Sequence, residues 1–376
     1  MTKGLITQFF LLLIVGIAAF FALYLHTPIK HHQEIPQIPP VSKDIPKATP
    51  TVVSKLMTTP LKESYPLITV KVDPTKPLKI GIFGESRGNE TEGESFNFVV
   101  VSEILNVLKD KQTQVIFFTG NLVAPFEAPV PEKEGSVKQV PKELEQQLQE
   151  FSVLYDRILG KDVPFFPVLG NKEIPVPQAA KIFADHFHLK DALLMDGELV
   201  YAVSIGPACF IVIPTASIAP ATEGMAPKAQ SNVLLWLEYA LAAVAKNHQY
   251  LFVVGHEPAF FEKVTFLKQN VFQRDAFWKI LTDNHVLAYF ASREHFFDRS
   301  NRSGVWQIIS GGGGGARVKG ENREPFFHTL ILVISPDKGK VPAIQVLDVN
   351  GRIVGEYELS DHDDPLYQMR ISSEQK

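Results

Sequence analysis

The sequence predicts an α/β protein in which two β-sheets pack as a sandwich, preceded by an N-terminal transmembrane helix. Three observations predict this arrangement. Short apolar runs that end in glycine alternate with amphipathic helical segments through the middle of the chain. The last strand-like segments follow one another without helices between them, and a long uncharged stretch lies near the N-terminus. Alternating strands and helices give a mostly parallel sheet, and the strand-rich end supplies a second sheet packed on the first.

Composition and charge exclude one broad class of function. Of the 376 residues, 45% are hydrophobic and 21% are charged, which is typical of a globular protein. The 37 basic and 41 acidic residues give a formal net charge of -4. A general nucleic-acid-binding protein needs a basic surface, so we expect no nucleic-acid partner. The single cysteine, Cys209, lies in an apolar run and is predicted to be buried.

The N-terminal stretch is predicted to anchor the protein in a membrane. After a short tail at 1–4, Leu5–Leu25 contains no charged residue. At 1.5 Å per residue it can cross a bilayer core of ~30 Å. A cleaved signal peptide would have a shorter apolar run and a small-residue cleavage site, whereas this run ends in Leu23-Tyr24-Leu25-His26. Lys3 and the α-amine outweigh Lys30, which predicts a single-pass membrane protein with its globular domain on the extracytoplasmic side.

The segment that follows, 26–77, is predicted to be a linker. It contains ten prolines between Thr27 and Pro77 and shows no apolar periodicity. Proline fixes φ and lacks an N–H, so such a segment is expected to be extended and semi-rigid. The globular domain is then predicted over 78–360, with a polar C-terminal tail at 361–376.

Within the globular domain, apolar runs predict strands and segments of helical periodicity predict helices. Several of the strand-like runs end directly in glycine, which indicates that a loop begins there. The predicted strands are 79–84, 114–120, 163–170, 250–255, 286–290, 305–310, 329–334 and 344–348, and the predicted helices are 96–108, 142–159, 178–188, 232–246 and 274–285.

The loops that follow these strands are the candidate functional segments. In α/β folds, ligands bind at the carboxyl ends of the strands, so the residues just after each strand are expected to lie together. The five loops are Gly84-Glu85-Ser86-Arg87-Gly88, Thr119-Gly120-Asn121-Leu122-Val123, Leu169-Gly170-Asn171-Lys172-Glu173, Gly255-His256-Glu257-Pro258 and Ser292-Arg293-Glu294-His295.

In this order and with these spacings, the five loops resemble the signature blocks of the calcineurin-like metallophosphoesterases. The family's blocks read G-D-x-H, G-D-x-x-D/Y, G-N-H-E/D, G-H-x-P and G-H-x-H. Glu294–Arg299 and the glycine run Gly311–Gly315 are similar to the purple-acid-phosphatase-like branch. The resemblance extends from Lys79 to Ala316 and implies the two-sheet βαβ sandwich of the metallophosphoesterase type.

The resemblance also implies a chemistry, which this sequence departs from. The family uses two divalent ions, of Mn, Fe or Zn type, to bind a phosphoryl oxygen and to activate a water molecule. A histidine of the first block is Arg87 here, the catalytic histidine of the third block is Lys172, and the first histidine of the last block is Arg293. The residual metal-ligand positions are Glu85, Asn121, Asn171, His256 and His295.

The second block carries the most damaging replacement. Its aspartate bridges both ions in the family, whereas Asn121 has a neutral amide oxygen, which is a poor bridge between two dications. We therefore expect no working two-metal centre, no catalytic residue at the family positions and no bound cofactor. If the protein is active, the resemblance implies divalent ions of Mn, Fe or Zn.

The cations at the replaced positions leave three interpretations open. Arg87, Lys172 and Arg293 can form a cationic cleft that binds an anion where the metals would lie. The arginines can instead pair internally, with Glu85 and Glu294, and close the site. Residual chemistry with an atypical or single-metal site is the third. The sequence thus predicts a membrane-held pseudoenzyme that binds an anionic small molecule or a protein partner, with a metal-dependent phosphoester hydrolase as the alternative.

Overall fold

Two β-sheets share one apolar interior in the computed structural model of this chain. The described residues all belong to one compact unit of the chain. The structure describes residues 65–88, 93–125, 143–195, 197–215, 218, 232–261, 271–317, 326–337 and 339–360.

The larger sheet contains eight strands within these ranges, in the order β1-β6-β7-β8-β9-β11-β10, with β5 paired to β6. Strands β7, β8, β9 and β11 are parallel to one another. Strand β6 runs antiparallel to β7, and β10 runs antiparallel to β11. Their bounds are β1 Leu67–Val70, β5 Leu193–Met195, β6 Glu198–Ile205, β7 Ala208–Val212, β8 Tyr250–Val254, β9 Ala288–Ala291, β10 Phe297–Arg302 and β11 Val305–Ser310.

The smaller sheet contains six strands in the described part of the chain, in the order β14-β13-β12-β2-β3-β4. Strands β2, β3 and β4 are parallel, and β12 pairs antiparallel with both β2 and β13. Their bounds are β2 Leu78–Phe83, β3 Val115–Phe118, β4 Phe165–Pro167, β12 His328–Ile334, β13 Ala343–Asp348 and β14 Ile353–Glu358.

Five helices of eight residues or more lie within the described ranges. The first begins after Asn97, whose side chain accepts a hydrogen bond from the Val100 amide and so satisfies one N–H of the first turn. Their bounds are α1 Phe98–Asp110, α2 Leu144–Ile158, α3 Ala179–His186, α4 Asn232–Val244 and α5 Val271–Asp283.

Stacked aromatic rings join the two sheets. Phe117 of the smaller sheet stacks on Phe210 of the larger sheet with ring centroids 4.4 Å apart, and Phe210 stacks on Phe252 at 4.7 Å. Because successive strand residues point to opposite faces, the neighbour Phe118 packs instead against Phe165, which contacts Phe151 of α2. This alternation fixes which face of β3 packs against the larger sheet and which packs against α2.

The other face of the larger sheet packs against α4 and α5. Trp236 and Leu237 of α4 and Phe277 of α5 are fully or almost fully buried in the same cluster as Val253 and Tyr289. The helix predicted at 232–246 is therefore present as α4, and it packs against the larger sheet.

The two-sheet α/β architecture is confirmed, while one boundary and several strands differ from the sequence-based prediction. Leu67–Val70, inside the predicted linker 26–77, forms β1 and pairs in parallel with β6. Four residues between Pro66 and Pro74 are enough for a short edge strand, where proline at the ends costs no ladder hydrogen bond. Strands β5, β6, β7, β10 and β14 also had no counterpart among the predicted strands.

The predicted anchor at 5–25 lies outside the described residues, together with the segment 1–4, most of the predicted linker and the predicted tail 361–376. Among the helices that the structure does describe, none combines the length and the hydropathy needed to cross a bilayer.

Candidate functional site

The loops that follow six parallel strands meet at one edge of the sandwich. The loops after β2, β3 and β4 come from the smaller sheet, and those after β8, β9 and β11 come from the larger sheet. Backbone hydrogen bonds tie them together: the Glu85 amide donates to the Gly120 carbonyl, and the Gly315 amide donates to the Glu85 carbonyl. The site is therefore built where the two sheets meet.

Glu85 lies at the centre of this edge and is completely buried. Its Oε1 accepts a hydrogen bond from Asn121 Nδ2 at 2.8 Å, and its Oε2 lies 3.2 Å from His295 Nε2 and 3.6 Å from Arg87 Nε. Burial alone would raise the pKa of this carboxyl, but the hydrogen bond from His295 and the charges of His295 and Arg87 hold the pKa below its ordinary value. Glu85 is therefore an ionised carboxylate that accepts a hydrogen bond from Asn121 and contacts two cations.

Asn121 occupies the position of the family's bridging aspartate and acts as a donor. Its Nδ2 donates to Glu85 Oε1 at 2.8 Å and to Asn171 Oδ1 at 3.0 Å, while its Oδ1 accepts from the Lys172 amide at 3.0 Å. The side-chain orientation is fixed by these partners, because a flipped amide would set Oδ1 against a carboxylate and Nδ2 against a backbone N–H. Two amide hydrogens therefore point at the oxygens that would otherwise bind metal.

His256 keeps the arrangement of a metal ligand. It is completely buried, and its Nδ1 lies 2.9 Å from the Thr119 carbonyl oxygen, so Nδ1 carries the hydrogen and donates to it. Burial lowers the pKa of His256 to about 4. The neutral ring therefore presents the Nε2 lone pair to Asn171 Oδ1 at 3.0 Å and to Glu85 Oε1 at 3.6 Å.

His295 has become part of an ion pair. Its Nδ1 contacts the Ala316 carbonyl oxygen and its Nε2 lies 3.2 Å from Glu85 Oε2, so both ring nitrogens face acceptors. Burial opposes the charged form, but the hydrogen bond and charge of Glu85 and the Ala316 carbonyl raise the pKa of His295 above its ordinary value. The protonated ring is thus a cation beside the central carboxylate.

Two buried carboxylates that the sequence-based reasoning did not single out support the site. Glu173 accepts hydrogen bonds from the amides of Gly170 and Asn121 on Oε2 and from the Val123 amide on Oε1. It therefore joins the second loop to the third. Burial raises the pKa of Glu173 to about 7 in spite of these donors.

Glu257 is the second such carboxylate. It is completely buried, and its Oε1 pairs with Arg293 Nη1. Burial raises the pKa of Glu257 to about 7, against the opposing effect of Arg293. If the arginines pair internally, the sequence predicts Glu294 as the partner of Arg293, whereas the structure shows Glu257 as a partner. The predicted contact of Arg87 with Glu85 is present, with Arg87 Nε 3.6 Å from Glu85 Oε2. Glu257 directly follows His256, and that adjacency to a site residue was the signal available in the sequence.

The three replacement cations line one cavity of about 270 Å³. Glu294 and the site residues Asn121, Asn171 and His295 also line it, together with Phe296. A larger cavity, of about 680 Å³, lies at the opposite ends of the strands, around Tyr250, Leu287 and Pro342, and contains none of the candidate site residues. The chemistry-bearing loops therefore surround the smaller cavity.

Several residues in these loops have left-handed backbone conformations. Glu85, Asn121 and Arg293 adopt left-handed conformations, with φ of 61°, 58° and 41°. Such φ values are costly for a glutamate or an arginine. Gly170 allows a close approach as well, because a Cβ there would lie 2.1 Å from Asn121 Oδ1. Asn121 and Arg293 line the cavity, and Glu85 lies buried next to Asn121.

These residues do not fit a two-metal centre. Asn121 directs donors at the would-be ligand oxygens, and protonated His295 and Arg87 contact the carboxylate that would bind the ions. In the described ranges, no group of three or more His, Cys, Asp or Glu side chains is arranged to hold a metal ion. His256 Nε2, Asn171 Oδ1 and Glu85 Oε1 are, however, ligand types that suit one divalent cation.

Comparison with known proteins assigns the fold. No protein-family model matches this sequence, and no curated protein matches it. A solved structure described as "GAP50 the anchor in the inner membrane complex of Plasmodium" matches with a TM-score of 0.51 and 13% identity, over 79% of this chain and 94% of that chain. A dimetal phosphatase from Danio rerio matches with a TM-score of 0.53 and 11% identity, over 77% of this chain and all of that chain.

A purple acid phosphatase from yellow lupin (Lupinus luteus) is also similar, with a TM-score of 0.53 and 13% identity over 75% of this chain. The match spans only 53% of the lupin chain, about half of its length. At these identities the likeness concerns the fold. The chain therefore has the calcineurin-like metallophosphoesterase fold predicted from its five loops.

Proposed function

We infer that this chain is a membrane-anchored pseudoenzyme, a metallophosphoesterase-like domain that binds a partner or anion at the old active-site edge. In this proposal residues 5–25 hold it in the membrane and the domain lies on the extracytoplasmic side. Arg87, Lys172 and Arg293 form the cationic cleft at which binding takes place.

One observation carries the proposal: the hydrogen-bonding direction of Asn121. A bridging aspartate would turn two oxygens toward two cations, whereas Asn121 turns two hydrogens toward Glu85 and Asn171. Those hydrogens satisfy the oxygens that otherwise need cations, so the site is stable without the pair of ions. The absence of the bridge removes the means of activating a water between two metals.

A neighbour in fold gives independent support to a binding role. The Plasmodium protein is described as an anchor in a membrane complex rather than by a reaction. The same fold can therefore serve attachment, since fold alone does not determine function.

Metal content and hydrolysis test the proposal together. The full-length chain, extracted in mild detergent if it fractionates with membranes, is dialysed against Mn²⁺, Fe²⁺ or Zn²⁺ and its metal content is measured. We expect no pair of bound ions and no turnover of p-nitrophenyl phosphate or bis(p-nitrophenyl) phosphate above background. Turnover that depends on metal and disappears in His256→Ala would show that the chain is an enzyme.

A second function, hydrolysis with one metal, is favoured by the environment of His256. Its neutral Nε2 and Asn171 Oδ1 are both acceptors, yet they lie 3.0 Å apart. A single cation between them, balanced by Glu85, would turn this repulsive contact into coordination and would supply Lewis-acid chemistry at that point. One bound ion per chain, with metal-dependent hydrolysis, is the result that distinguishes this function from the first.

A further inference from the structure

The cavity carries its charges in two layers. Glu85 and Glu257 are completely buried, whereas the side chains of Arg87 and Arg293, which pair with them, are 24% and 26% exposed. The carboxylates therefore lie behind the guanidinium groups, and an entering ligand meets the cations first. Each pairing also fixes a guanidinium in place, which lowers the entropy lost when it binds an anion.

The carboxylates around the cavity limit the negative charge that a ligand can carry. Arg87 and Arg293, two of the three replacement cations that line the cavity, already contact the buried carboxylates of Glu85 and Glu257. Glu294 lines the cavity itself and repels a second negative charge on the ligand. A carboxylate accepts two parallel N–H bonds from a guanidinium and adds only one charge, whereas a phosphate monoester adds up to two.

An exposed apolar pair is linked to Arg87 through Phe96. Phe98 and Val99, in the first turn of α1, are 55% and 64% exposed. The Phe98 ring lies 6.3 Å from the ring of Phe96, and the backbone of Phe96 forms a β-bridge with Arg87. We call Phe98 and Val99 the apolar step. A small inorganic anion in the cavity could make no use of the apolar step.

We propose that the cavity and the apolar step together bind a protein segment that presents an acidic side chain next to an apolar one. The aspartate or glutamate carboxylate enters among Arg87, Lys172 and Arg293, and the apolar side chain covers Phe98 and Val99. The charge complementarity selects the acidic residue, and burial of apolar area adds affinity. This inference rests on the proposed function, in which the edge binds instead of catalysing.

The test measures binding of a labelled peptide, acetyl-Ala-Phe-Glu-Leu-Ala-amide, to the full-length chain by fluorescence anisotropy. Its matched neutral control has Gln in place of Glu, and inorganic phosphate is added as a competitor. We expect the Glu peptide to bind at least roughly tenfold more tightly than the Gln peptide, since one charge-assisted bidentate pair is gained.

The chain offers matched control variants. Phe98→Ser is expected to lower the affinity for the Glu peptide roughly fivefold. Phe272→Ser, in a similarly exposed Val–Phe pair at the start of α5, is expected to leave that affinity unchanged. Lys172→Gln is expected to remove most of the preference for Glu over Gln, and Lys161→Gln, an exposed lysine outside the cavity, is expected to keep it. Circular dichroism of each variant confirms that it folds.

Four results would overturn the inference. Equal binding of the Glu and Gln peptides would show that the acidic side chain is not recognised. An unchanged affinity in folded Phe98→Ser would show that the apolar step takes no part in binding. Displacement of the peptide by low phosphate concentrations would indicate a site for small anions. No peptide binding at 10 mM, roughly the weakest affinity worth assigning, would indicate that the cavity does not bind such a segment. Metal-dependent hydrolysis, in contrast, would refute the proposed function whatever the peptide does.

Discussion

Two histidines contact the same carboxylate, and their protonation differs. His256 Nε2 lies 3.6 Å from Glu85 Oε1, and His295 Nε2 lies 3.2 Å from Glu85 Oε2. Each ring also places Nδ1 against a backbone carbonyl, of Thr119 or Ala316. Yet the pKa of His256 is lowered to about 4 by burial, whereas the pKa of His295 is raised by Glu85.

The difference follows from burial and from which atom stands closest to Nε2. His256 is completely buried and its Nε2 lies nearest the neutral Asn171 Oδ1, so desolvation outweighs the attraction of the more distant carboxylate. His295 is 11% exposed and lies directly against Glu85. One half of the site thus keeps a ligand-like neutral ring, while the other half has been converted into an ion pair.

The largest effect is expected when the shared carboxylate is removed. Glu85→Ala leaves the cations of His295 and Arg87 without their buried partner and should lower the free energy of unfolding by about 3–5 kcal/mol. Urea unfolding of the variant, compared with Glu103→Ala on the exposed face of α1, measures this loss. A loss near that of the control would show that Glu85 does not hold the two halves together.

A smaller effect is expected from restoring the bridging carboxylate. Asn121→Asp places a second negative charge 2.8 Å from Glu85 and loses two donated hydrogen bonds, so without metal we expect a loss of about 2–3 kcal/mol. Mn²⁺ or Zn²⁺ should return most of it, because ions that bind only the folded state stabilise it. Thermal unfolding with and without metal measures this.

The matched control is Asn106→Asp, which makes the same charge change at an exposed site on α1. It should respond to neither metal. If Asn121→Asp unfolds at the same temperature with and without metal, the His295 half does not return to a metal-binding form when the bridge is restored.

Much of the fold could be predicted from the sequence, because five of the six strands that lead into the site are followed by a glycine-containing loop, with β9 as the exception. The apolar run before Gly84 and the one before Gly255 are strands buried at all but one residue, and this pattern is visible in the local sequence. Strand β1 could not be predicted in this way. Its four residues, Leu67–Val70, form a strand only because β6 offers an edge far along the chain.

The site could be predicted as a set of positions, but not as a network. The loops placed Glu85, Asn121, Asn171, His256 and His295 in one region, and the structure brings them into contact. Which partner each group takes depends on distances that no local pattern encodes. The pairing of Arg293 with Glu257, and the support that Glu173 gives to three amides, required the folded arrangement of separate loops.

The two halves should respond to pH in opposite directions. For His256, whose folded pKa is depressed to about 4, the unfolded chain takes up a proton below about pH 6.5 and the native state does not. Its contribution to stability is present above that pH and is lost toward pH 4. For His295, whose folded pKa is raised, the contribution is present below about pH 6.5 and is lost as pH rises through the folded pKa.

Denaturant titrations of His256→Gln and His295→Gln against pH separate these contributions. The first variant should flatten the acidic side of the stability profile and the second the alkaline side, each by at most about 1.4 kcal/mol per pH unit. Because His328, Glu173 and Glu257 also have shifted pKa values, the difference between each variant and the wild-type chain is compared. Parallel profiles in both variants would mean that the halves titrate as one unit.

The smallest expected effect concerns the backbone that carries the His295 half. Arg293 has a φ of 41°, which glycine adopts more easily than any residue with a Cβ. Arg293→Ala and Arg293→Gly both lose the pair with Glu257, so their difference reports only the backbone. We expect the glycine variant to be more stable by about 1 kcal/mol, measured by urea unfolding. Gln112, exposed and away from the site with a φ of 58°, should give a similar difference between its glycine and alanine variants. If Arg293→Gly is instead the less stable variant, the loop relaxes once the guanidinium is gone, and the strain at this position is imposed by the ion pair rather than by the fold.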